Sequence, residues 1–318
     1  MAATPEPQPV SEAQAKYTGK KILWVDSYHQ GFEWTDGVEA GLHQVLDGTG
    51  VDLKILHMDT KQNPEEEFAR QAGIQAKAEI EVFKPDIVIA SEDNAQKYLV
   101  VPYLKGMDLP VVFTGVNWNA SIYGYPASNV TGMLEVELPV QLIEHLNIYA
   151  HGNRIGFLTI DTETERKVAQ IYNEQFFKGA LKVYFVKTSD EFKQKFLDVQ
   201  SEVDILIVGT NAGIDRWDNQ EMENFILENT HIPTGAIYDW MAPYSLITLA
   251  KRPQEQGKWA GQTALKILDG VPVSQIPITE NKEGDLILNL DMAEQLDIIF
   301  APSMLRNAKI YGAERAEQ

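Results

Sequence analysis

The sequence predicts an α/β protein of two lobes, each a parallel sheet covered by helices. Three observations carry this. Strand-like apolar runs alternate with helix-period runs along nearly the whole chain. The alternation breaks once, over 111–132, a stretch rich in Gly, Pro, Asn and aromatic residues. A fresh strand–helix series then starts from Glu135.

The elements follow in order. The first strand, 21–26, is the unbroken apolar run Ile22, Leu23, Trp24, Val25, stopping at Asp26. An unbroken run suits a strand buried on both faces, as parallel sheets require. Helix 35–47 places Val38, Leu42, Val45 and Leu46 on one face. After strand 51–57, helix 64–83 opens at Asn63-Pro64 with Glu65, Glu66 and Glu67 in its first turn, where the helix dipole favours anions. Pro85 ends it and launches the strand 86–90, followed by helix 94–104 and strand 110–114. In the second series, helices 136–149, 163–178, 189–200 and 218–228 alternate with strands 154–160, 181–186, 204–209, 234–238 and 245–249. Helix 254–269 closes at Asp269-Gly270, and strand 286–290 and helix 291–297 end the pattern.

Those last elements are too few for a third domain. They complete the lobes already built, so the chain crosses between lobes more than once, at a hinge of several strands with a cleft between. The expected division is 19–117 plus 252–279 for the amino-terminal lobe and 118–251 plus 280–318 for the other. Residues 1–18, polar and Pro-rich with no apolar signal region, read as a disordered leader or as the mature end of an exported chain with an added Met1.

Composition narrows the function. The 318 residues are 44% hydrophobic and carry a formal charge of −19, from 27 basic and 46 acidic side chains. That balance argues against nucleic acid or an anionic membrane as partner. The absence of cysteine excludes disulfides, thiolate nucleophiles, Cys-ligated zinc and iron–sulfur clusters. The six histidines show no metal spacing, and there is no phosphate loop, dinucleotide fingerprint or G-x-S-x-G elbow. No enzyme, metal or cofactor is therefore expected.

In parallel sheets ligands bind outside the carboxyl ends of the strands. In the first lobe those ends carry Ser27, Tyr28 and His29, with Trp34 beyond; then Ser91, Glu92 and Asp93; then Thr114, Gly115, Asn117 and Trp118. In the second they carry Asp161, then Thr210 and Asn211, then Tyr238, Asp239 and Trp240. Hydroxyls, amides, carboxylates and aromatic rings together suit a small polar ligand. Ser91, Thr114 and Asn211 are candidates for a carboxylate or hydroxyls, Glu92, Asp93 or Asp239 for an ammonium, and Tyr28, Trp118, Tyr238 and Trp240 for the walls. Plain structural roles stand beside these. Asp26 or Ser27, Asp93 or Asn94, and Asp161 or Thr162 are each placed to cap a helix, and a buried Asp239 would need a cation such as Arg216, Lys251 or Arg252.

The stretches ILWVDSYHQGFEWTDGVEAGL, KPDIVIASEDNA, LPVVFTGVN followed by PASNVTGMLE, IGFLTID, EQGKWAGQTALKILDGVPVSQIPI and LILNLDMAEQLDIIFAPSMLRNAKIYG cover nearly everything after residue 20. In them the chain resembles the substrate-binding proteins of ABC transporters, of the group that includes aromatic amino acid (tryptophan-binding-like) members. The resemblance implies the type I periplasmic binding protein fold: two Rossmann-like lobes joined by three crossovers, with a ligand cleft that closes on binding. It further implies export to the periplasm, no catalysis, and handover to an ABC permease in the inner membrane. The opening DSYH–GFEWTDG also resembles sensor domains of the same superfamily, for which the partner would be a membrane sensor kinase. A monomer is expected, since each copy must open and close.

Overall fold

The computed structural model describes residues 15–312. The first unit contains β1 (Lys21–Asp26), β2 (Asp52–His57), β3 (Ile87–Ser91), β4 (Val111–Asn117) and β5 (Val130–Glu135). The second contains β6 (Ile155–Ile160), β7 (Lys182–Val186), β8 (Ile205–Val208), β9 (Thr234–Ala236) and β10 (Ile247–Lys251). The short β11 (Thr279–Glu280) returns to the first sheet, and β12 (Gly284–Asn289) and β13 (Lys309–Tyr311) to the second.

The first sheet has the order β11-β5-β4-β3-β1-β2, with every pair parallel. Ile22, Leu23, Trp24 and Val25 of β1 are wholly buried, as the unbroken apolar run requires. The helices Glu33–Leu46 and Pro253–Leu268 pack together on this sheet. Gly41 and Gly257 let their backbones meet, because a methyl group at either would strike the other helix's main chain. The second sheet has the order β13-β12-β10-β9-β8-β6-β7, parallel except where β12 runs against β10. Phe157, Tyr172, Phe192 and Phe196 fill its core.

The units comprise residues up to Val136 with Pro253–Asn281, and Glu137–Arg252 with residues from Lys282 on, so the chain passes between them three times. Each passage is tied down within a unit. Asn281 accepts from the Val136 N–H at 2.7 Å and donates to the Val136 carbonyl at 3.0 Å. Lys251 pairs with Glu137 at 3.2 Å, and Arg252 with Glu283 and Asp285.

Several expectations need correction. Residues 118–136 were expected in the second lobe, but β5 pairs with β4, so the first unit runs on to Val136. The expected leader lies, for residues 1–14, outside the described residues. Of residues 15–18, Tyr17 is buried and its hydroxyl donates to Asp269 at 3.1 Å. The helix expected over 94–104 is α-helical only over Glu92–Ala95, and Gln96–Leu104 is wound as a wider π-helix around Pro102. Proline has no N–H for the Tyr98 carbonyl four residues back, and the wider turn relieves its clash there. That carbonyl faces Gly73 of a neighbouring helix, where a methyl group would not fit.

Candidate functional site

Each unit gathers its polar groups at the carboxyl ends of its strands. In the first unit the innermost layer is fully buried. Trp24 Nε1 donates to Ser91 Oγ at 2.6 Å, and Ser91 Oγ meets Thr114 Oγ1 at 2.7 Å. Ser27 Oγ donates to the Ser91 carbonyl at 2.6 Å and accepts from the Ala95 N–H at 2.8 Å. Ser27, Ser91 and Thr114 are 0% exposed. Their hydroxyls thus serve protein groups and form a floor that joins β1, β3 and β4.

Asp26, buried at the end of β1, accepts from the Tyr28 N–H at 3.1 Å and from Thr35 Oγ1 at 3.0 Å, and meets His57 Nδ1 at 3.4 Å. It therefore fixes the loop that carries Tyr28 instead of capping the next helix, which starts after Phe32 without a side-chain cap. The hydrogen bond to Asp26 holds His57 above its ordinary pKa against the opposing effect of burial. Tyr28 stacks edge-on against Phe32 with ring centres 5.3 Å apart, and Lys61 Nζ sits 4.5 Å from its ring centre. Burial, followed by the charges of Glu92, Glu135, Asp93 and Asp26, raises the Tyr28 phenol far above its usual range. His29 stands apart, packed on Phe32 and bonded to the Gln30 carbonyl.

Above the floor lies Glu92. Its backbone is left-handed, with φ of 71°, and the residue is 3% exposed. Trp34 Nε1 donates to its Oε1 at 2.8 Å. The carboxyl lies against Gly115, itself at φ of 68°, where any methyl group would run into it. Burial, then Glu135 and Asp26, push the Glu92 carboxyl well above the usual carboxylate range, and the Trp34 indole pulls the other way. Asp93 is not a helix cap either, since it accepts from Tyr123 OH at 2.6 Å. Asn117 is exposed at the end of β4, and Trp118, also left-handed at φ of 57°, donates its N–H to the Glu135 carbonyl at 3.1 Å.

The second unit places the predicted residues less compactly. Asp161 is bound to Arg166 at 2.6 Å, which holds its carboxyl below the usual range, and Lys187 lies 3.7 Å away. Thr162 makes the helix cap there, accepting from the Glu165 N–H at 3.2 Å. Thr210 Oγ1 accepts from the Ala212 N–H at 3.0 Å, and the Asn211 carbonyl from Ile214, closing a local turn. Tyr238 and Trp240 stack at 4.6 Å with their planes 12° apart, and Trp240 is 53% exposed. Asp239 between them is exposed, so it needs no buried counter-ion. Arg216, Lys251 and Arg252 are paired with other carboxylates. Trp217 packs into the core against Phe192 and Tyr244.

Sequence reasoning passed over three buried acids. Glu135 ends β5, and Glu137 follows it and binds Lys251. Glu165 stands third after Thr162, the spacing of a capping box. Its side chain turns inward instead and accepts from Thr159 Oγ1 at 2.7 Å. The acid at the end of an apolar run, in MLEVE, was the available signal for the first two. Among the described residues no group of three or more His, Asp or Glu side chains is placed to hold a metal ion, and no helix is long and apolar enough to cross a membrane.

Two α/β units of mostly parallel strands with three passages between them have the fold of the type I periplasmic binding proteins. The chain belongs to the family described as ABC transporter substrate binding protein, whose profile matches residues 32–311. Such families bind solutes and are not an enzyme class. A curated relative, a tyrosine-binding protein of Clostridioides difficile (strain R20291), is 23% identical over 232 residues, 68% of this chain. The matched stretch spans 64% of that protein, somewhat under two thirds of its length. The ligand-free, open structure of a substrate binding protein with adhesive properties from Clostridium difficile superposes with a TM-score of 0.70 at 21% identity, covering 92% of this chain and 99% of that one. An ABC domain in complex with L-Trp from Streptococcus pneumonia gives 0.55 at 18% identity, with the same coverage of 92% and 99%. These two likenesses carry the fold.

Proposed function

We propose that this protein works in the periplasm, captures an amino acid with an aromatic side chain by closing its two units on it, and delivers it to an ABC permease. The observation that supports this most is the Glu92 site. A buried carboxyl held by the Trp34 indole, with Asp93, Tyr28 and Tyr123 beside it, offers negative charge and ring faces together. Acidic groups suit an ammonium, and the rings suit a flat side chain. The tyrosine-binding relative and the L-Trp complex support the same ligand class. In the second unit, the stacked Tyr238 and Trp240 would supply a further aromatic face. Closure follows from ligand contacts that only the closed state makes with both units.

The test is a thermal-shift screen of protein unfolded and refolded to strip carried ligand, against amino acids, sugars, polyamines and nucleosides. A ligand at 100 times its Kd adds about 2.7 kcal/mol of stability. Stabilisation by L-tyrosine or L-tryptophan is the expected result. Stabilisation confined to sugars or nucleosides, or no response to any amino acid, would sink the reading.

A further inference from the structure

Glu92 is an unusual choice for a cation site. It is 3% exposed and lies in left-handed backbone, which costs about 1–2 kcal/mol in a residue with a side chain. Only one of its carboxyl oxygens, Oε1, is hydrogen-bonded, to Trp34. Among the described residues no group hydrogen-bonds the other, Oε2, and no lysine, arginine or histidine pairs with Glu92 or Asp93. The titratable groups whose charges act on it most are Glu135 from β5, Asp26 from β1 and Asp93 beside it, and its own charge acts in turn on the phenol of Tyr28. Three of these are acids, and His57 is engaged with Asp26.

A carboxylate so placed has lost most of its water and gained like charges, with no cation paired to it among the described residues. Holding a proton removes both costs. The Trp34 bond survives in either state, because the indole only donates. An arriving ammonium group offers the same relief as the proton, and the two compete for one open oxygen.

We infer that ligand capture at the first unit is a cation exchange, in which Glu92 holds a proton in the empty protein and gives it up to solvent as the ligand's ammonium group takes its place. The step balances: the Glu92 O–H bond breaks, the proton leaves to water, and the carboxylate accepts an N–H from the ammonium, so one positive charge replaces another. It rests on the amino acid reading above and adds to it a proton count. Affinity then falls as pH falls, by about tenfold per unit where one whole proton is exchanged. The ligand's own amino group stays protonated throughout that range. The high pKa direction of Glu92 agrees with the geometry.

The experiment is calorimetric titration of the refolded protein with L-tyrosine and L-tryptophan at pH 6 and pH 7, each in phosphate and in ACES, two buffers that take up protons at both pH values with different heats. The difference in heat between the buffers counts protons. The expected result is release of about one proton per ligand and about tenfold weaker binding at pH 6. Glu92→Gln should bind with no proton release and no such pH dependence. Binding by the unaltered protein without proton release, or equal release by Glu92→Gln, would overturn the inference and leave the amino acid reading intact. Binding of neither probe would overturn the reading, and the inference with it. The first of these measurements needs no substitution, so a poorly folded variant does not obscure it.

Discussion

Trp34 Nε1 lies 2.8 Å from Glu92 Oε1 and joins the helix after β1 to the turn after β3. The bond orients a largely buried carboxyl that has no other hydrogen-bond donor among the described residues. Trp34→Phe keeps the ring and removes the donor. It should cost about 1–3 kcal/mol of stability, the usual penalty for stranding a buried polar group. In the Glu92→Leu background, the same change should cost clearly less. Urea unfolding of the four proteins in this cycle checks the coupling, and equal losses in both backgrounds would deny it.

Ser91→Ala should be destabilising by about 1–3 kcal/mol, because Trp24 Nε1 would be left buried without an acceptor. Since Ser91 is wholly buried behind Glu92, the ligand preference order should stay unchanged. Chemical denaturation and a ligand panel on the same variant test both halves. A changed preference order would return Ser91 to the ligand-contact role expected from its place at the end of β3.

The His57–Asp26 pair sets a pH signature. His57 has a raised pKa in the folded protein, from a reference of 6.5. Its contribution is complete below the unfolded value and disappears as pH rises through the folded one. The stability gap between the unaltered protein and His57→Gln should therefore be widest at pH 5.5 and close towards pH 8.5. Denaturation midpoints across that range provide the check, and a constant gap would show that packing, not charge, is what His57 contributes.

Trp240 is more than half exposed and stacked on Tyr238. Trp240→Ala should change stability by no more than about 1 kcal/mol, whereas Phe196→Ala, wholly buried in the same unit, should cost about 3–5 kcal/mol. If Trp240 forms part of the ligand site, its loss should weaken binding far more than folding. Equal, small effects on both would mark it as ordinary surface.

The strands around the site were legible because each is an unbroken apolar run with a polar stop: Asp26 after LWV, Ser91 after IVIA. β5 was not, because Gly132 interrupts it. The structure shows why the glycine is there: the Phe113 ring occupies the place of its side chain. The whole stretch 111–132, rich in Gly, Pro, Asn and aromatic residues, reads as a break between lobes, and that set the expected boundary at residue 117 instead of Val136. β11 has two residues and exists only through its partner β5. Acid chemistry was legible as composition but not as pairing. Asp161 and Glu92 look alike in sequence. One is neutralised by Arg166 five positions on, and the other is buried against Gly115 from a different strand. The inward turn of Glu165 breaks a local rule, since Thr159 outcompetes the helix end for its carboxyl.

Asn281 grips both the N–H and the carbonyl of Val136, 145 positions earlier in the chain. Two of the three passages therefore share a rivet. Neither strand can twist alone without tearing two buried hydrogen bonds. An unclamped pair could shear or skew in many directions. Riveted here, the two segments leave the first unit from one fixed place, whatever course the chain takes beyond them.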